Sequence, residues 1–396
     1  METVLNWSVR KLSRLDIDFG RYLFDRINWD AQLLVLTGAR GVGKTTLFVQ
    51  HLKSLNLPAT EAAYISLDSL YFSTHNLVDF AEEYVQLGGR ILYLDEVQKY
   101  PNWSIEIKNI YDNLPELKLR ISGSSTTEIL NSQGDLSRRA LFYNLNGLSF
   151  REYLQLKTKL ELPVLKLEEI LNNHEKIASE LNLKFKPLQH FQNYLSSGYY
   201  PFFVEDEDNY HQKIRQIINT IIEVDIPVVH AIDYAAVHNI KKMLAIISQL
   251  VPFKPNVKQL SKKIGISRES FMRYLRLLEK ADLIQLLYSS TKGMSQLNKP
   301  EKIYLNNSNQ AFALSDTLAI GNARETFFFN QLKAAHELSC PPKGDFYVDE
   351  KYTFEIGGKD KKFRQLEGIQ NTFIAADNLE LSTGKKVPLW LFGMMY

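Results

Sequence analysis

The sequence predicts an α/β fold: a mostly parallel sheet with helices on both faces, followed by helical and mixed modules. Three observations carry that prediction. Over the first 150 residues short apolar runs alternate with stretches of helical spacing, the pattern of a sheet built from strand–helix units. One run, "AQLLV", leads into a glycine-rich turn, "LTGARGVGKTTL" at residues 36–47. Another, in "RILYLDEVQKYPNW", ends in two adjacent acids.

The turn fits the phosphate-loop pattern G-x-x-x-x-G-K-S/T with Gly38, Ala39, Arg40, Gly41, Val42, Gly43, Lys44 and Thr45, and Thr46 continues it. Glycines let successive N–H groups point inward at a phosphate. The helix expected over Thr45–Leu57 turns its positive end toward the same anion. Lys44 is expected to reach the β- and γ-phosphates of a bound nucleotide, and Thr45 to hold Mg²⁺. The competing reading is a plain strand-to-helix turn. The second run, Ile91–Leu94, is apolar throughout, as a strand buried on both faces should be. It presents Asp95 for Mg²⁺ and Glu96 as a base that polarises the attacking water. A surface edge ending in two acids is the alternative.

Further strands are expected at "AAYISLD", "LKLRISGSS" and "LFYNLNGL", with helices over "LVDFAEEYVQLGG" and "SIEIKNIYDNLP", and amphipathic helices before residue 31. Ligand chemistry in such a sheet belongs at the carboxyl ends of the strands. Ser122, Ser124 and Ser125 fall at one such end and are candidate γ-phosphate sensors; a Ser/Gly turn competes. Arg138 and Arg139 precede the fifth strand. An arginine there could stabilise phosphoryl transfer in cis or from a neighbouring subunit, against the reading of a solvated basic pair.

The chain has 396 residues, enough for two or three domains. Its 45% hydrophobic and 23% charged residues are ordinary for a folded chain. A net charge of +2 creates no global field that demands nucleic acid, so any such binding must come from local patches. One cysteine, Cys340, excludes an internal disulfide framework and a CxxC metal site, which suits the cytoplasm. The first residues lack the apolar run of a signal peptide, and no run of about 18 apolar residues offers a membrane span.

From "SFREYLQLK" to about residue 225 the sequence reads as a helical lid, broken at "SSGYYPFF". A helix-turn-helix follows: Val257–Ile264, a turn at Gly265–Ser267 with Ser267 as N-cap, then Arg268–Lys280. Two strands behind it, "DLIQLLYSS" and "EKIYLNN", make the wing of a winged helix. Arg268, Arg273 and Arg276 lie on the free face of the second helix and are candidate DNA contacts. A protein-contact module is the alternative. The tail reads helix, strand, strand, helix, strand, strand.

Taken together, "GARGVGKTTL", "LYLDEVQKYPNW", "ISGSS", "LNGLSFREYL", "SSGYYPFF" and "KIYLNNSNQAFAL…GNARETFFFNQL" make the chain resemble the bacterial and archaeal AAA-type ATPases. In these a P-loop core is fused to a winged helix and a C-terminal domain similar to the PD-(D/E)xK nuclease fold. The resemblance implies a core with N-terminal helices over residues 1–150, a helical lid over 151–228, a winged helix over 229–310 and a small nuclease-like α/β domain over 311–396. It implies ATP binding and hydrolysis with Mg²⁺. Lys44, Asp95, Glu96 and Arg139 are then catalytic, and Ser124 joins the phosphate contacts. DNA and further copies of the chain are candidate partners. A slow ATP-dependent switch working through protein contacts and an ATP-driven nuclease are the rival readings. The tail departs from the active nuclease pattern. Its candidate site comprises Glu325, Asp345 or Asp349, Glu355 and Lys359, but the position two after Glu355 is Gly357 where the pattern has lysine. The expectation is therefore a module without cleavage activity.

Overall fold

The structure is a computed structural model that describes residues 1–14, 19–123, 136, 138–230, 232–290, 299–315 and 320–396. The chain separates into two compact units, Met1–Gly147 and Leu148–Tyr396.

The first unit opens with α1 (Glu2–Ser13) and then alternates strand and helix: β1 (Leu33–Thr37), α2 (Lys44–Ser54), β2 (Ala62–Ser66), α3 (Leu77–Gln86), β3 (Ile91–Asp95), α4 (Trp103–Asn113), β4 (Lys118–Ser122) and β5 (Ala140–Asn144). The five strands form one parallel sheet in the order β2-β3-β4-β1-β5. Leu33, Leu34, Val35 and Leu36 are fully buried, as a central strand covered on both faces requires. The β1 and β3 strands are not neighbours; β4 lies between them. Register sets Leu36 beside Ser122 and Leu94 beside Ile121, so the carboxyl ends of β1, β4 and β3 finish side by side.

Two features of this core escape the sequence. Arg120, in the middle of β4, is fully buried and donates to the carbonyls of Ala31, Trp29 and Leu119. Beside it His51 stacks on Trp29 at 3.7 Å, with its Nδ1 2.5 Å from the Tyr93 hydroxyl. Burial, reinforced by Arg120, pushes the His51 imidazole down to about 4.

The second unit begins with α5 (Phe150–Thr158), whose start is fixed by a capping box between Ser149 and Glu152. Helices α6 (Leu167–Asn182), α7 (Pro187–Ser197), α8 (Tyr210–Thr220), α9 (Ile226–His230) and α10 (Tyr234–Leu250) follow, with a π-helical turn at Ile221–Asp225. Then come α11 (Val257–Ile264), α12 (Arg268–Lys280), β6 (Ile284–Leu287) and β7 (Lys302–Leu305). Gly265 ends α11 in the left-handed conformation, and the Ser267 side chain caps α12 by accepting the Ser270 N–H. β6 and β7 pair antiparallel behind these two helices.

The remainder is α13 (Ser308–Leu314), α14 (Ile320–Lys333), β8 (Leu338–Ser339), β9 (Phe346–Val348), β10 (Tyr352–Gly357), β11 (Thr372–Ala376) and β12 (Lys386–Pro388). β8 through β12 form one mixed sheet in chain order. The second tail helix expected from the sequence is only a 3₁₀ turn at Phe363–Gln365. Glycines and a run of charges leave that segment no apolar face long enough for a helix. The stretch "NNSNQ" is buried: Asn309 Oδ1 accepts from Tyr199 N and the Tyr210 hydroxyl, and its amide donates to the carbonyls of Tyr194 and Leu195. No helix among the described residues is long and apolar enough to cross a membrane.

Candidate functional site

The site in the first unit is assembled from the ends of three strands. After β1 the loop curls with Gly38, Gly41 and Gly43 all at positive φ. Gly38 shows why: at φ 146°, a Cβ there would stand 2.3 Å from the Leu145 carbonyl oxygen. Gly43 hands the chain to α2, which starts at Lys44. Lys44 Nζ donates back to the carbonyls of Gly38 and Ala39 at 2.7 and 3.0 Å, so its amine stands inside the curl of the loop. Thr45 and Thr46 lie in the first turn of α2, and Arg40 lies in the loop itself.

Asp95 ends β3 and is 2% exposed. Four donors converge on it. Its Oδ2 accepts from Thr45 Oγ1 at 2.5 Å and from the Tyr64 hydroxyl at 2.6 Å. Its Oδ1 accepts from Ser122 Oγ and from the Glu96 N–H at 3.0 Å. Burial and the Asp95 charge hold Tyr64 in its neutral, donating form, well above the ordinary phenol range. Glu96 follows with φ 55°, and its Oε2 accepts from Gln98 Nε2 at 2.7 Å and lies 3.8 Å from Lys99 Nζ. Sequence reasoning did not find Tyr64, because nothing local in "AAYISLD" says that β2 ends beside β3. It also missed Arg21, a 5% exposed guanidinium that donates to Val42 O at 2.6 Å and Asn146 O at 2.7 Å, bracing the glycine loop.

The structure therefore brings together Gly38–Thr45, Asp95 and Ser122. Ser124 and Ser125 lie outside the described residues. Arg139 is placed elsewhere. It precedes β5 at the amino end of the sheet, where Ala140 pairs with Leu33, about 13 Å along β1 from the loop. Its Nε and Nη2 donate to Asp112 at 2.9 and 3.0 Å. Of the two alternatives, in cis or from a neighbouring subunit, this placement speaks against the first, because Arg139 lies away from the loop of its own chain.

In the second unit Arg268, Arg273 and Arg276 are exposed along α12 and line one groove of about 730 Å³, together with Lys280, Lys299 and His230. The tail acids divide. Glu325 on α14, Asp345 ahead of β9 and Glu355 on β10 converge with two lysines, Lys302 and Lys361. Asp349 does not join them: it is exposed, with its oxygens on His336 Nδ1 and the Glu337 N–H. Lys359 does not either. It is exposed, and its carbonyl accepts from Lys386 Nζ. Gly357 and Gly358 let the chain turn after β10, and Lys361 packs so tightly on Gly357 that a Cβ there would meet its Cγ at 2.8 Å. The amine beside Glu355 is thus that of Lys361. Of the alternatives Asp345 and Asp349, Asp345 is the acid that joins the site, and Lys361 stands in place of the expected Lys359. Among the described residues no group of three His, Cys, Asp or Glu side chains is arranged to hold a metal.

Residues 30–154 match the family described as AAA domain, and residues 188–317 match a domain of unknown function (DUF8612). The first of these stretches, which is similar to that AAA domain, contains the glycine loop, Asp95 and Glu96. The chain is 28% identical over 310 residues to an uncharacterized protein of Methanocaldococcus jannaschii, a match spanning 74% of this chain and 65% of that protein's length. Solved structures that overlap it include AMPPCP-bound DnaA from Aquifex aeolicus, with 15% identity, 70% of this chain, 88% of that one and a TM-score of 0.25. The S. cerevisiae Hsp104–ADP complex overlaps with 16% identity, 70% of this chain, 41% of that one and a TM-score of 0.30. These overlaps are too loose to assign a role.

Proposed function

We propose that the first unit binds ATP with Mg²⁺ and hydrolyses it, and that this cycle controls the second unit, which engages DNA through α12. The observation that supports this most is the meeting of a glycine loop, the Lys44 amine, Thr45 and Asp95 at the carboxyl end of a parallel sheet. Backbone N–H groups of the loop and the amino end of α2 favour an anion, and Lys44 supplies a fixed positive charge.

The donor set fits Mg²⁺: an alcohol oxygen on Thr45 beside a buried carboxylate on Asp95, both hard oxygen ligands. Bound there, the ion would offset charge on the β- and γ-phosphates. The chain's own residues do the rest. Tyr64 and Ser122 hold the Asp95 carboxylate in one orientation, Arg21 holds the loop, and Glu96 is the group that would take a proton from water.

A slow ATP-dependent switch is the second reading, favoured by one observation. The Glu96 carboxylate accepts from Gln98 Nε2 and faces Lys99, so its Oε2 is already engaged before a water reaches it. DNA engagement is supported by Arg268, Arg273 and Arg276 around one groove, the residue types that neutralise phosphates. Calorimetric titration of the full chain with ATP tests the core of this reading. Wild type should bind, and Lys44→Ala should bind far more weakly; equal affinity would remove Lys44 from the phosphate site.

A further inference from the structure

The nuclease-like tail is implied by its resemblance to hold a divalent cation among its acids. The acids that meet are Glu325, Asp345 and Glu355, and a lysine stands between two of them. Lys302 Nζ, from β7, lies 2.9 Å from Asp345 Oδ1 and 3.2 Å from Glu325 Oε2. The other donors are also in place. The Ile356 N–H reaches Asp345 Oδ2 at 2.9 Å, and the Tyr304 hydroxyl reaches Glu325 Oε2 at 2.9 Å. Lys361 Nζ lies 2.5 Å from Glu355 Oε1. Glu355 is 3% exposed, and its Oε2 meets no donor among the described residues.

A Mg²⁺ or Mn²⁺ ion must bring carboxylate oxygens to about 2.0–2.2 Å. An ammonium bridging Glu325 and Asp345 occupies that approach, and the two cations would repel at contact distance. Of the six oxygens of these acids, only Glu355 Oε2 and Glu325 Oε1 stand outside these contacts, and neither belongs to Asp345. The residues present therefore fit a lysine and not a dication. Burial works against the charge of Lys302, but Glu325 and Asp345 outweigh it and hold the amine protonated above its ordinary range.

We propose that Lys302 is the resident cation of this site: its ammonium neutralises Glu325 and Asp345, ties β7 to the C-terminal sheet, and occupies the place of a divalent metal. The tail then lacks the ion that would activate water for phosphodiester cleavage, and it works as a joint between the hairpin and the sheet. This does not depend on the ATP reading, because none of its residues lies in the first unit.

The test is a count of bound Mn²⁺ by electron paramagnetic resonance on the full, nucleotide-free chain. Wild type and Asp345→Asn should bind the same number of ions. Lys302→Met should bind one more, and Lys302→Met combined with Asp345→Asn should lose it again. An ion held by wild type and lost in Asp345→Asn or Glu325→Gln would overturn the proposal, and so would a folded Lys302→Met protein that gains none. If circular dichroism shows Lys302→Met unfolded, the wild-type comparison with Asp345→Asn decides alone.

Discussion

Replacing Asp95 with asparagine keeps the side chain's size and removes its charge where four donors meet. Those donors are the hydroxyls of Thr45, Tyr64 and Ser122 and the Glu96 N–H. A hydrogen bond to a charged acceptor contributes about 1.5–3 kcal/mol and a neutral one about 0.5–1.5. The asparagine oxygen still accepts from the Glu96 N–H and Ser122, while the Thr45 and Tyr64 hydroxyls must turn to accept from its amide, and the four changed bonds cost roughly 4 kcal/mol. Against that, the substitution relieves the desolvation of a carboxylate that is 2% exposed, which is itself worth several kcal/mol. Fold stability should therefore change by less than about 2 kcal/mol in either direction. Nucleotide binding has no such compensation. Two unit charges 4 Å apart interact by about 4 kcal/mol at an effective dielectric of 20, and a dication doubles this. Screened to a quarter, the loss is still about 2 kcal/mol, or roughly 30-fold in affinity. The assay is ATP affinity of wild type and Asp95→Asn, each with Mg²⁺ and with EDTA, next to thermal melts. Wild type should show a clear Mg²⁺ gain and the variant about a thirtieth of it. A variant that melts near wild type and keeps the full Mg²⁺ gain would refute a metal role for Asp95.

Three further predictions rest on separate parts of the molecule. Gly38→Ala places a Cβ 2.3 Å from the Leu145 carbonyl oxygen at φ 146°; it should cost at least about 3 kcal/mol, read as a fall in Tm of roughly 10 °C, and weaken ATP binding. His51 is pushed down to about 4 in the fold, so the unfolded chain binds the extra proton between about pH 6.5 and pH 4. Its stabilisation is present above pH 6.5 and lost as pH falls through 4, about 2 kcal/mol of it between pH 7 and pH 5. Urea melts at those two pH values should show this loss in wild type and a smaller one in His51→Gln; equal losses would take the titration away from His51. Removing Arg268, Arg273 and Arg276 together should lower the slope of log affinity for DNA against log salt by about 3, measured by fluorescence anisotropy. An unchanged slope would place the phosphate contacts elsewhere.

What was legible in the sequence followed how local each signal is. The glycine loop and the strand ending in Asp95-Glu96 are contiguous, so their chemistry could be read before any fold existed. The helix-turn-helix was equally readable, because Gly265 and Ser267 mark its turn in place. The partners of Asp95 were not readable in the same way. Tyr64 and Ser122 come from two other strands, and only the order β2-β3-β4-β1-β5 makes them neighbours. The choice between the two roles of Arg139 was unreadable for the same reason: adjacency to β5 in sequence does not say which end of the sheet it occupies. In the tail, strand spacing pointed to Gly357, and Lys359 was offered as the next lysine in sequence. The chain instead turns at Gly357 and Gly358 and returns Lys361 to Glu355, while Lys302 arrives from a strand some forty residues earlier than Asp345.

The proposed turnover of ATP by the first unit rests on Glu96 as the base. Its most direct test is steady-state phosphate release by the full chain, wild type against Glu96→Gln, with ATP affinity measured on the same samples. Glu96→Gln should bind ATP as wild type does and turn it over at least about 10²-fold more slowly. Equal turnover in the two proteins, with equal binding, would contradict that role.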